Sequence, residues 1–157
     1  MKKFKFNIVD ILVVIAIVVV IAAGVWYLST AGAGDDVYTY FVVEFTGRMP
    51  GTENDIEIGG EIRDSIRNYF LGHVVDVRSQ PAELLTFDNT TNRFVRSVLP
   101  GRYDVFVTVR GVGTENDSVI QANGQPVRVG QEMFLRGRGY AGIGFITELW
   151  TMERGGR

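Results

Sequence analysis

The sequence predicts a mainly β protein: an N-terminal transmembrane α-helix followed by a small, internally duplicated β-barrel or β-sandwich. Three observations predict it. Residues Ile11 to Leu28 carry no charge and are almost all aliphatic. From Val37 onward, short β-branched and aromatic runs alternate with Gly, Asn and Asp turns, which is the signature of strands. Motifs from the first half of that region also return in the same order in the second half.

The helix comes first. At about 1.5 Å per residue, the stretch Ile11–Leu28 reaches about 27 Å, close to the hydrocarbon thickness of a bilayer. Asn7 is placed to cap it, and Asp10 three residues later makes a variant capping box. Phe4 and Phe6 at one end, and Trp26 and Tyr27 at the other, suit the two aromatic belts. The only lysines are Lys2, Lys3 and Lys5, before the helix, whereas Asp35 and Asp36 follow it. The positive-inside rule then puts the N-terminus in the cytoplasm and the rest outside.

Three readings of Phe6–Gly24 compete. A cleaved secretion signal has a small-x-small site in Ala31-Gly32-Ala33, but its apolar core is normally about 7–15 residues, shorter than this one. Phe6 through Ala16 also resembles the start of a type IV prepilin, with Asp10 where pilins carry a glutamate. That family is processed after a glycine, and Lys5 stands there instead. A permanent anchor is the favoured reading, because a stretch apolar all round is not the surface helix of a soluble domain.

Ser29 to Asp36 is small and polar and reads as a linker. Beyond it, strands are expected near Val37–Phe45, Gly72–Arg78, Glu83–Phe87, Phe94–Leu99, Tyr103–Arg110, Ser118–Ala122, Glu132–Leu135 and Tyr140–Thr151. Asn89-Thr90-Thr91-Asn92 makes a turn, and Asn123-Gly124 is a strong hairpin signal because both residues tolerate positive φ. Ile62, Ile66 and Phe70 share a helical spacing, so a turn or two of helix is expected over 62–70.

The pentapeptide Gly-Thr-Glu-Asn-Asp occurs at 51–55 and again at 113–117. Its flanks also match. VVEFTG (42–47) precedes the first copy and FVTVRG (106–111) the second. IEIGGEI (56–62) follows the first, and VRVGQEM (127–133) the second after an inserted SVIQANGQP. GHVVDV (72–77) then matches GFITEL (144–149). This order implies a duplication with residues 78–102 as the hairpin between copies. One such unit cannot bury its own core, whereas two wrapped together close a small barrel or sandwich. Gly59 and Gly130 fall at sharp turns. Gly72 and Gly144 fall at strand starts, where a left-handed residue or close backbone approach is expected. The domain plan is a cytoplasmic basic tail (1–6), a transmembrane helix (7–28), a linker (29–36), an extracytoplasmic β domain (37–152; halves about 41–77 and 105–149) and a flexible tail (153–157).

Composition narrows the chemistry. The chain has 157 residues, a net charge of −2 and no cysteine. That excludes disulfides, thiolate zinc sites and thiol nucleophiles, and leaves no bulk positive charge for nucleic acid. The single histidine, His73, lies in Gly72-His73-Val74-Val75-Asp76 with no spacing that suggests a triad; a solvent-facing strand histidine is the simpler reading. Gly137-Arg138-Gly139-Tyr140-Ala141-Gly142 fits GxGxxG, but no parallel strand precedes it and no helix follows, so a glycine-rich hairpin is expected. The two Glu-Asn-Asp loops lack the dense carboxylates of a calcium loop. Arg136, Arg138 and Tyr140 near one turn are candidates to meet an anionic partner, with a solvated hairpin as the plainer explanation. No catalytic, cofactor-binding or metal-binding residue is assigned, and no cofactor is expected.

FNIVDILVV at the start, IGGEIRDS with LGHVVDV, GRYDVFVTVRG, then NGQPVRVGQEM and GYAGIGFITEL together resemble the bacterial family known as domain of unknown function 4330. The resemblance implies a single-pass envelope protein and brings no activity or functional residue. More loosely, an anchor followed by IEIGGEI…LGHVVDV is similar to the lipid-trafficking domains associated with mammalian cell entry proteins. The expectation is a non-enzymatic scaffold or interaction module on the bacterial cell membrane. It would be held to the bilayer by residues 7–28, with an envelope protein as partner and homo-oligomers in view. The alternative is a ring-forming accessory of lipid or apolar-ligand transport; an exported hydrolase is a third class.

Overall fold

In the computed structural model, residues 8–30 and 35–154 are described, with side chains over 11–26 and 35–154. The chain divides into two units, Met1–Gly34 and Asp35–Arg157. The first holds one helix, α1 (Ile8–Thr30), two residues longer at its C-terminal end than expected. Every side chain from Ile11 to Trp26 is exposed, as follows from an aliphatic surface with no polar face. Those sixteen residues reach about 24 Å. Among the described residues no helix is long and apolar enough to cross a membrane. The expected span, 7–28, runs past the residues with described side chains, 11–26, at both ends. Asn7 as cap, the aromatic rings of Phe4, Phe6 and Tyr27, the Asp10 side chain and the Ala31-Gly32-Ala33 site lie outside the described residues.

The second unit is mainly β and antiparallel. Its strands are β1 (Asp35–Arg48), β2 (Glu61–Asp64), β3 (Phe70–Asp88), β4 (Arg93–Glu115), β5 (Ile120–Ala122), β6 (Gln125–Val127), β7 (Glu132–Arg136) and β8 (Ala141–Glu153). A one-turn 3-10 helix spans Thr52–Asp55. Two pairs of expected strands are each one long strand, β3 and β4, because the expected breaks near 79–82 and 100–102 are irregularities within a continuing ladder. The helix expected over 62–70 is absent. Ile62 is fully buried in β2, between β3 and β7. The Asp64 carboxylate accepts hydrogen bonds from the Ile66 and Arg67 amides at 2.8 and 2.6 Å. A side chain that captures the backbone in this way competes with a helix.

The ladder runs β1–β8–β7–β2–β3–β4 and returns to β1 through a further β1–β4 pairing. Six strands thus form a closed cycle of pairings, and the β5–β6 hairpin branches from β4. Residues alternating along the strands supply the core: Phe41, Val43 and Phe45 from β1, and Val105, Val107 and Val109 from β4.

The cycle is the same read from either half. Exchanging β1 with β4, β2 with β7 and β3 with β8 leaves the set of pairings in the cycle unchanged. β3 skips Val75 against β4, between Val74 and Asp76. β8 skips Thr147 against β1, between Ile146 and Glu148. A skipped residue shifts the pleat, and in each half it brings Val74 with Val77, and Ile146 with Leu149, to the core. The turns agree too. The Gly59 amide donates to the Val74 carbonyl at 2.8 Å and the Gly130 amide to the Ile146 carbonyl at 2.7 Å, with φ of +87° and +82°. Ile56 and Val127 are buried, whereas Ile58 and Val129 are 63% and 60% exposed. Close approach also recurs: a Cβ on Gly72 would run into the Arg110 carbonyl, and one on Gly144 would come within 2.6 Å of the Glu44 carbonyl oxygen.

The pentapeptide is not part of this correspondence. Gly51–Asp55 forms the 3-10 turn and its N-cap, whereas Gly113, Thr114 and Glu115 end β4, paired to β1. The pairings equate Glu44 with Arg110, so β1 and β4 align two residues away from the sequence match of 42–47 with 106–111.

Candidate interaction surfaces

Where β2 meets β7, Arg63 pairs with Arg136 across the ladder. Two guanidinium groups on facing residues repel, and each has a local counterweight. Arg63 forms an ion pair with Glu61 at 3.1 Å and lies 5.5 Å from the Phe70 ring centroid. Arg136 donates to the Asn68 side-chain oxygen at 2.6 Å. Glu57, Glu61, Arg63, Arg136 and Arg138 line a cleft of about 380 Å³ here. The structure therefore brings Arg136 and Arg138 together, as their spacing suggested, and adds Arg63. Its contribution was hidden because 62–70 read as helix.

Tyr140 goes elsewhere. Its ring lies over Gly137, where a Cβ would overlap it. It helps to line a cavity of about 30 Å³ with Phe45, Arg48, Ile56 and Val105. Burial pushes its phenol up to about 12. The Arg48 guanidinium donates to the Ile143 carbonyl at 3.0 Å. A space of this size suits one water and no substrate.

The remaining sequence candidates resolve simply. His73 is exposed on β3, its ring edge-on to Phe70 at 5.2 Å between centroids. The GxGxxG stretch joins antiparallel β7 and β8, with the Gly137 amide donating to the Tyr140 carbonyl at 3.0 Å; it is a glycine-rich hairpin. In the second Glu-Asn-Asp loop, Asn116 Oδ1 accepts from the Ser118 and Val119 amides at 3.0 and 2.9 Å, a local turn that occupies that oxygen. Among the described residues no group of three or more His, Cys, Asp or Glu is placed to hold a metal ion.

The hairpin expected between the halves is present as the outer part of β3 and β4; what the sequence did not show is how exposed its apolar side chains are. Beyond an irregularity at Pro81–Glu83, Glu83–Asp88 pairs only with Arg93–Val98. This two-stranded arm is about 20 Å long at about 3.4 Å per residue. Its alternation reads as half-buried strand, yet its large apolar side chains are exposed: Leu85 is 62% and Phe94 67% accessible.

Residues 3–149 match the family described as domain of unknown function (DUF4330), and the chain belongs to it. No curated protein and no solved structure matches, and the likeness to mammalian-cell-entry domains gains no support.

Proposed function

We propose that this DUF4330 member is a single-pass protein of the bacterial cell membrane, with its β unit outside acting as a non-enzymatic interaction module. One observation carries the reading: α1 presents an aliphatic surface exposed on every side from Ile11 to Trp26. Eleven of the residues from Ile11 to Val25 are Ile, Leu or Val. At about −0.3 to −0.6 kcal/mol each, they favour insertion by roughly 3–7 kcal/mol. The full element has 23 residues, or about 34 Å, a length that supports a span with its ends in the head groups. Lysines before it and aspartates after it support an N-terminus inside.

We read the closed cycle of six strands as a small barrel and its two equivalent halves as a duplication. Four residues, 31–34, separate α1 from β1. Their reach of at most about 18 Å, across five Cα–Cα steps, keeps the module near the bilayer and raises its effective concentration for membrane partners. Three arginines and two glutamates in the β2–β7 cleft suit a polar partner of mixed charge.

The test is extraction and mass. Native membranes are washed with alkaline carbonate, then with detergent, and the chain's intact mass is measured. The anchor reading expects a chain starting at Met1 or Lys2, released by detergent alone. A chain starting at Gly34, or one released by carbonate, would sink it; a start at Phe6 would point to a pilin.

A further inference from the structure

The arm formed by Glu83–Asp88 and Arg93–Val98 has no neighbour on either edge among the described residues. A two-stranded ribbon is marginal in water by itself. Folded proteins normally blunt free edges with proline or inward-facing charge. Here Pro81 and Pro100 sit at the base and the outer strands carry no proline. Large apolar side chains stand exposed on both faces, between charged and polar ones. Leu85, Phe87, Phe94 and Val98 share one face, and Leu84 and Val95 the other, all between 39% and 67% exposed. The four on the first face present on the order of 400 Å² of apolar side chain, the size of a functional patch.

We infer that the arm is a self-association surface: the β3 edge of one chain, residues 83–88, pairs with the β4 edge, residues 93–98, of a second copy. Charge selects this arrangement. The only charged residues of the β3 segment are Glu83 and Asp88, and those of the β4 segment are Arg93 and Arg96. Pairing β3 with β3, or β4 with β4, sets like charges across the new ladder, which is unfavourable. Pairing β3 with β4 sets acid against base, and it is antiparallel, as within the arm itself. There Asp88 already faces Arg93, and Arg96 reaches Glu83 at 3.4 Å. Because two different edges meet, the contact is heterologous and generates a closed ring or an open row.

A bilayer is a poorer occupant, because the tip is polar. The Asp88 carboxylate accepts from the Thr90 amide at 2.8 Å and the Thr91 hydroxyl at 2.7 Å. The inference goes beyond the membrane reading and does not depend on it.

The test uses the full chain in detergent. Native mass spectrometry of the unaltered protein is expected to show three or more copies, and the double variant Arg93→Glu/Arg96→Glu a single chain with an unchanged circular dichroism spectrum. A single chain for the unaltered protein overturns the inference. So does an oligomer that survives the double variant, since α1 or another surface then holds the copies. The chain has no cysteine, which allows a second measurement that keeps the arm's sequence nearly intact. Thr86→Cys and Val95→Cys variants, joined by a short bis-maleimide, are expected to cross-link at least fivefold more when mixed than either does alone. Equal cross-linking of each variant with itself means like edges meet and overturns the pairing. A blue-shifted probe at position 95 on phosphatidylglycerol vesicles, with the chain still single, assigns the arm to lipid and overturns it as well.

Discussion

The half from β1 to β3 and the half from β4 to β8 make the same pairings, yet the letters they share most visibly are not what they share structurally. Gly51 begins a 3-10 turn at φ +90°, whereas Gly113 lies in β4 beneath the β5–β6 hairpin. What the halves hold in common is less conspicuous: a skipped residue at Val75 and Thr147, a left-handed glycine at 59 and 130, and a buried aliphatic at Ile56 and Val127. A pentapeptide has no structure of its own, so its surroundings decide. A turn that donates back into the ladder carries its geometry with it.

That comparison can be broken most sharply at the two pentapeptide glycines. A Cβ on Gly113 would run into the Gln121 carbonyl and come within 2.8 Å of the Thr39 hydroxyl. Gly113→Ala is therefore expected to destabilise by about 3 kcal/mol or more, or to displace the β5–β6 hairpin. At Gly51 the nearest atom is the Asn54 side-chain nitrogen, Nδ2, at 3.8 Å, so Gly51→Ala is expected to cost only about 1 kcal/mol for its positive φ. Urea unfolding of both variants checks the contrast, and equal losses would restore the pentapeptide as a structural repeat.

The next effect tests the equivalence of the halves. Ile56→Ala and Val127→Ala both empty core sites and are expected to cost about 2–4 and 1–3 kcal/mol. Ile58→Ala and Val129→Ala, on the exposed side of the same turns, are expected to stay within about 0.5 kcal/mol. Smaller still, Gly59→Ala and Gly130→Ala place a Cβ in open space at positive φ, and each is expected to cost about 1–2 kcal/mol. A difference above about 1 kcal/mol between the two would show that the turns are not equivalent.

Tyr140 gives the smallest effect and belongs to one half only. Its phenol holds its proton up to about 12 because burial disfavours the phenolate. Between pH 10 and 12 the folded chain thus binds more protons than the unfolded chain, and stability falls as pH rises through that window. Ultraviolet titration is expected to show a late phase that is absent in Tyr140→Phe.

Much of this fold was legible. Asn123-Gly124 makes its hairpin with φ of +48° and +77°. The IEIG and VRVG segments are equivalent turns, and GHVVDV matches GFITEL through a shared irregularity. β2 was not legible, because Ile62, Ile66 and Phe70 keep a helical spacing while Asp64 captures the chain in a turn. Of the candidate cleft, Arg136 and Arg138 could be picked out, but Arg63 enters only because β2 pairs with β7.

The sequence by itself determined a long aliphatic helix, a β unit and two related halves. These rest on local composition, on turn residues with restricted φ, and on apolar spacing. Only the tertiary structure decided which strands close the cycle, that the pentapeptides part company, and that the strands between the halves stand out as an exposed arm. Strand pairing and burial depend on which distant residues arrive on each side, and a period-two pattern reads alike whether its apolar face is covered by a core or waits for another chain.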